Sequence, residues 1–173
     1  MTDLPGFEPD DEQIDRVVVE HNPAATDRSV ARRLALQVLY ESDSAGHSVS
    51  VIMASHLDQQ QLEKRTASFL RRLVNGVITH RQQLDQIIQH YAPEWPLQQV
   101  AIVDRNILRI AIFEIATQLR TPLSVAIDEA VELADIFGAE GAPRFVNGVL
   151  GSLANDVDWL RQTFAPPNGD NRS

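Results

Sequence analysis

Residues 97–119 restrict the fold more than any other part of the chain. Val100, Val103, Ile107, Ile110, Ile115 and Leu119 recur at helical steps, and Ile102, Leu108, Ile112 and Phe113 fill the positions between them. A helix that is apolar nearly all round has no face to give to water, so it must be the buried centre of the molecule. The rest of the chain has to supply its cover. No segment alternates with period two over the length of a strand, so the cover is helical as well.

The remaining segments read as amphipathic helices. In 27–42, Asp27 or Ser29 serves as N-cap, and Val30, Leu34 and Val38 form a stripe joined by Ala31, Ala35 and Leu39, with arginines on the other face. Asp43-Ser44-Ala45-Gly46 breaks that helix, and a short one follows over 48–56, with Val49, Ile52 and Met53 inward. A long stretch over 60–91 carries Leu62, Phe69, Leu73, Val77, Leu84, Ile87 and Ile88. Asn75-Gly76 is its expected kink or split, and Pro93 and Pro96, on either side of Trp95, stop it. Thr121-Pro122 restarts a helix whose inner stripe is Ile127, Ala130, Val131 and Ala134 and whose outer face is Asp128, Glu132 and Asp135. Gly138 is suited to a left-handed cap after it. Pro143 opens the last main helix, 144–155, with Phe145, Val146, Val149, Leu150 and Leu153 inward. Six or seven helices with short connections make an all-α, compact bundle.

Charge divides the chain differently. The net charge is −9, which argues at first against a nucleic-acid partner, but residues 1–27 alone hold eight acids and one base. Residues 28–165 balance at −2, so the body is almost neutral and the acidity is mostly a property of the tail. The proline-rich, acidic segment 1–27 reads as a disordered extension, 28–163 as the folded domain and 164–173 as a flexible tail. No apolar run reaches the ~18 residues of a membrane span, and no basic and apolar leader opens the chain, so a cytoplasmic location without membrane contact is expected.

Catalytic signatures are missing. There is no cysteine, which removes disulfides, thiolate metal sites and a cysteine nucleophile. There is no phosphate-binding glycine loop and no H-E-x-x-H. His21, His47, His56, His80 and His90 have no metal-ligand spacing, and Asp128-Glu129 reads as part of a solvated acidic face. No enzyme activity, metal or cofactor is expected. Arg109 and Glu114 lie in the apolar central helix and need partners; Glu129 or Glu132 is the expected partner of Arg109.

Two blocks resemble the NusB family. Ala31-Arg-Arg-Leu-Ala-Leu-Gln-Val-Leu-Tyr40 is similar to the arginine-rich opening helix of that family. The second block runs from Val103-Asp-Arg-Asn-Ile-Leu-Arg-Ile-Ala-Ile-Phe-Glu114 through Thr121-Pro122 and Val125-Ala-Ile-Asp-Glu-Ala-Val-Glu-Leu-Ala134. It ends in Phe137-Gly-Ala-Glu140 and Phe145-Val-Asn-Gly-Val-Leu150, and the likeness covers about 28–157. It implies an N-terminal three-helix part and a C-terminal four-helix part. It also implies a non-enzymatic transcription antitermination factor that binds single-stranded boxA-type RNA of nascent ribosomal transcripts. The ribosomal protein NusE would be its partner, within the RNA polymerase antitermination complex.

The same resemblance implies the site. Arg28, Arg32 and Arg33, with Gln37 and Tyr40, would meet RNA from the first helix, since guanidinium groups bind phosphate and stack on bases. Phe137, Glu140, Gly141, Arg144 and Phe145 would hold RNA from a loop beside it, and Asp104, on the exposed start of the central helix, would meet NusE. By themselves the arginines also fit a plain solvated face, and Phe137 and Phe145 also fit core positions. The acidic extension next to the arginines suggests a fold-back contact that weakens RNA binding. Asn147-Gly148 reads as structural, with the glycine at a close helix contact. A homodimer through the RNA face is possible, because some members self-associate there. Two rival readings are a helical protein adaptor without RNA binding and the NusB-like domain of a ribosomal RNA cytosine methyltransferase, whose catalytic cysteine has no counterpart here.

Overall fold

A computed structural model describes residues 23–117 and 120–166. The acidic segment up to residue 22, with most of the expected fold-back contact, and the tail from residue 167 lie outside the described residues. Among the described residues there are eight α-helices, one 3-10 turn and no strand: α1 Pro23–Ala45, α2 Val49–Gln60, α3 Lys64–Thr79, α4 Arg81–Tyr91, the 3-10 turn Leu97–Gln99, α5 Ile102–Thr117, α6 Leu123–Phe137, α7 Ala142–Ala154 and α8 Val157–Phe164. None of these helices is long and apolar enough to cross a membrane.

α5 is the centre that the sequence requires. Every residue from Asn106 to Ala116 is buried, and α1, α3, α4, α6, α7 and α8 all pack on it. The expected helix over 97–119 is shorter, because Pro96 gives only a 3-10 turn before the chain extends at Val100 and α5 begins. α8 follows the last helix that the sequence pattern marks. It docks through Leu160, which is fully buried, with Val157 and Phe164 packed against the core.

Several boundaries shift for local reasons. α1 starts at Pro23, ahead of the expected cap at Asp27 or Ser29, so residues 23–27 are helical rather than part of an extension. Proline is well suited to a first helical turn, where its missing N–H is not needed. The long stretch divides at His80, not at Asn75-Gly76. The backbone N–H of His80 donates to Gly76 O at 3.0 Å, and its ring Nδ1 lies 2.9 Å from the same oxygen. Gly76 serves packing instead: a Cβ there would lie 2.0 Å from Cζ of Phe113, so the ring of α5 rests directly on the backbone of α3. Gly138 is extended, at φ −79° and ψ 170°, rather than a left-handed cap; a Cβ on it would crowd Ala134 O and Ala142 at 2.6 Å. Gly148 is exposed with nothing near its Cβ position, so it makes no close helix contact.

Arg109 takes other partners than expected. Its guanidinium is buried and grips Asp85 of α4 with both ends of its fork, at 2.7 and 3.0 Å. Its Nη1 donates to Asp43 of α1 at 3.2 Å and to Asn106 Oδ1 at 3.0 Å. Asn106 in turn donates to Asp43, and Arg81 also pairs with it. Burial raises the Asp43 pKa, but the Asn106 and Arg81 hydrogen bonds and the two arginine charges outweigh it and hold the carboxyl below its usual 3.8. This network ties the C-terminal end of α1 to α4 and α5. Glu129 and Glu132 lie on α6, where Glu129 serves the other end of α1.

Candidate nucleic-acid interface

The arginine-bearing start of α1 is divided between a buried part and an exposed part. Arg32, expected at an RNA phosphate, is 3 % exposed. Its Nε and Nη2 meet Glu114 of α5 at 2.9 and 2.5 Å, and its Nη1 lies 3.5 Å from Glu129 of α6. Thr121 donates to the same Glu114 at 2.7 Å, and Arg28 donates to Thr121 at 3.0 Å. Arg28 and Arg32 both lie over the buried ring of Phe69 in α3, 4.9 and 5.4 Å from its centre. Two guanidinium groups, two carboxylates and one aromatic face thus join α1, α3, α5 and α6. The Arg32 side chain is spent on holding the fold; it corrects the expectation of an exposed phosphate ligand.

The exposed part is a strip. Ser29, Arg33 and Gln37 are four residues apart and Tyr40 is three further, so all four share one line on the helix. Arg33, Gln37 and Tyr40 are exposed, Tyr40 at 45 %, and Ser29 donates to Glu129 at 2.8 Å. The strip therefore begins where α1 touches α6 and runs outward into solvent.

The helix directions place the loop after α6 relative to this strip. Arg32 meets Glu114 and Asp43 meets Asn106, so α1 and α5 are antiparallel. Glu114 meets Thr121, before α6, whereas a Cβ on Gly138, after α6, would lie 2.9 Å from Asp104, so α5 and α6 are antiparallel too. α1 and α6 consequently run the same way. From the shared level of Ser29 and Glu129, Tyr40 is eleven residues on and Phe137 eight, or about 16 and 12 Å at 1.5 Å per residue. Tyr40 and the loop after α6 come to the same end of the bundle.

In that loop Phe137 is 39 % exposed, and Glu140, Gly141 and Arg144 are exposed. Gly141, at φ +84°, supplies the left-handed turn that starts α7, a conformation that side chains resist. Phe145 is half-buried and packs against the core. Its ring meets Trp95 edge-on, with centroids 6.4 Å apart. Trp95 was read only as part of a helix stop, yet it is 57 % exposed and lies beside the loop. Gln89 fixes its segment: its Nε2 donates to Ala92 O and Trp95 O, and its Oε1 accepts from Leu97 N. A tryptophan between two prolines is its signal in the sequence.

Asp104 is not on an exposed surface; it is 7 % exposed, at the first turn of α5 and against Gly138. Its Oδ1 is buried without a hydrogen-bond partner, and burial raises its pKa above the usual 3.8. Among the described residues no group of histidines and carboxylates is arranged to hold a metal ion.

The Arg32 cluster gives a stability test. Glu114→Ala leaves a buried guanidinium without its main partner and is expected to cost about 3–5 kcal/mol, read by urea unfolding. Glu129→Ala removes the longer, partly exposed contact to Arg32 and the Ser29 hydrogen bond, and should cost less, about 1–2 kcal/mol.

Comparison with known proteins identifies the family and the fold. The NusB family model matches residues 29–155. A transcription antitermination protein NusB of Dehalococcoides mccartyi is 43 % identical over 129 residues, covering 75 % of this chain and 90 % of the relative. The one of Bacillus subtilis (strain 168) is 40 % identical over 131 residues, covering 76 % and 97 %. Among solved structures, T. maritima NusB superposes with a TM-score of 0.67 at 29 % identity, covering 80 % of this chain and 93 % of that one. A structure of the antitermination factors NusB and NusE with dsRNA shares the fold, with a TM-score of 0.67 at 23 % identity over 80 % of this chain and 98 % of that one. The chain belongs to the NusB family of transcription antitermination proteins, which are not enzymes.

Proposed function

We propose that this protein binds boxA-type single-stranded RNA of nascent ribosomal transcripts in the cytoplasm, together with NusE, and that the pair promotes read-through by RNA polymerase. The observation that carries the reading is the exposed strip Arg33, Gln37 and Tyr40, which reaches the same end of the bundle as the loop bearing Phe137, Glu140, Gly141 and Arg144. Arg33 and Arg144 meet phosphates. Tyr40 and Phe137 offer ring faces to unpaired bases, and Gln37 and Glu140 bond to base edges. Phe145 and Trp95 back the loop. Arg28 stands at the start of the track, where its contact with Thr121 orients it. Arg32 is a positioning residue that acts through Glu114 and Glu129. The relatives' shared name, and the fold shared with a NusB bound to NusE and dsRNA, support RNA and NusE as partners.

Asp104 fits the NusE contact in a different way than a surface charge would. A buried carboxylate with an unpartnered oxygen is unfavourable in the free protein and gains when a donor arrives. The folded-state pKa is raised, so the penalty is absent below the unfolded value of 3.8 and grows as pH rises past it.

Two outcomes follow. Arg33→Ala with Tyr40→Ala should weaken boxA-type RNA binding by one phosphate contact and one stack, roughly 2–4 kcal/mol, and reduce the salt slope by about 0.7 while thermal stability holds. Fluorescence titration reads both, and an unchanged affinity would falsify the RNA face. Asp104→Asn should raise the melting temperature near pH 7, leave it unchanged near about pH 3, and weaken NusE binding in calorimetry. A variant that is less stable at neutral pH would show that Asp104 supports the free fold instead.

A further inference from the structure

α3 carries a second basic surface. Lys64, Arg65, Arg71 and Arg72 are all exposed, and the helix has no acidic residue, in a chain whose net charge is −9. None of the four is ion-paired with a described residue, although carboxylates elsewhere on the surface draw Arg81 and the histidines His47 and His56. A mixed, solvated face would not concentrate four unpaired cations on one helix of an acidic protein.

Two features give the patch a direction. Arg65 and Arg72 stand one turn before and one turn after Phe69, the ring that Arg28 and Arg32 cover. Their strip thus continues from the arginine-bearing end of α1 onto α3. On the other edge, Lys64, Arg71 and Gln61 rim an open groove of about 500 Å³ between α2 and α3, floored by Leu57, Leu62 and Ala67. Cations around an apolar floor suit a sugar–phosphate backbone whose sugars or bases rest on the hydrocarbon.

We infer that the α3 face binds the phosphate backbone of RNA that flanks the segment held at α1, so that the protein grips a longer stretch of transcript than the α1 strip alone can reach. Lys64, Arg65, Arg71 and Arg72 supply sequence-independent contacts, and recognition of bases stays with α1 and the loop after α6. The inference rests on the RNA-binding reading above.

The test uses the full chain and two fluorescent RNAs, a boxA-type core and the same core with about ten further nucleotides on each side, near the site size of single-strand binders. Wild-type protein should bind the flanked RNA more tightly and with a steeper salt dependence. Arg71→Ala with Arg72→Ala should lower that salt slope by about 1.4, two phosphates at about 0.7 each, and remove most of the gain from the flanks. The core should bind as before, and the melting temperature should not move. If wild type binds both RNAs and the variant keeps the wild-type slope, the inference fails while the RNA-binding reading stands, and the face is left to an acidic protein surface. If wild type binds neither RNA, with or without NusE, both fail together.

Discussion

The bidentate pair of Arg32 and Glu114 sets the arrangement of everything around it. It is almost fully buried, so it exists only because each charge has the other and because Thr121, Glu129 and the Phe69 ring complete the surroundings. A pair of this kind adds little net stability against an apolar substitute, but it tolerates only one register. Sliding α1 by one turn along α5 would strand both charges. With Arg32 turned inward, helical spacing puts Arg33, Gln37 and Tyr40 outward and Ser29 on α6. The second network, around Arg109, fixes the far end of α1 in the same manner. One helix is thereby pinned at both ends with its polar strip exposed between.

This division also bears on how an acidic protein would present the proposed nucleic-acid surface. The charges that reach solvent at α1 are not those that a count of arginines suggests. Arg32 is balanced by Glu114 and Glu129, Arg28 is partly covered where it meets Thr121 and the Phe69 ring, and Arg33 is exposed. On the proposed function, the remaining affinity would come from ring stacking at Tyr40 and Phe137, from base-edge bonds at Gln37 and Glu140, and from cations elsewhere. On the same proposal, fewer phosphate contacts at α1 would give the basic residues of α3 more weight than they would have beside a richer arginine cluster.

The fold was largely legible because its governing feature is local. The apolar circumference of 97–119 identifies a central helix with no tertiary information, and the stripes of the other helices point to it. What escaped depends on partners distant in the chain. Gly76 looks like a kink until Phe113 is seen against it. Arg109 pairs with Asp85 and Asp43, which no spacing within its own helix indicates. Asp104 looks like a surface acid at a helix start, and Gly138 buries it. α8 has the right spacing, with Val157, Leu160 and Phe164, but eight residues are too short for periodicity to stand out. The candidate site residues come from the family resemblance, and the structure shows how each is placed. Their burial was not legible, since the sequence treats Arg32 and Arg33 alike and only the fold turns the first inward and the second to solvent.

The proposed function requires the Arg33–Gln37–Tyr40 strip and the loop after α6 to form one platform for unpaired RNA. Ultraviolet cross-linking of the protein to boxA-type RNA, read by peptide mass spectrometry, tests it most directly. The account predicts adducts on Tyr40 and Phe137, with Trp95 at the margin and none on Trp159, which is equally open at 49 % exposure but belongs to α8. Adducts centred on Trp159, with Tyr40 and Phe137 unmodified, would contradict it.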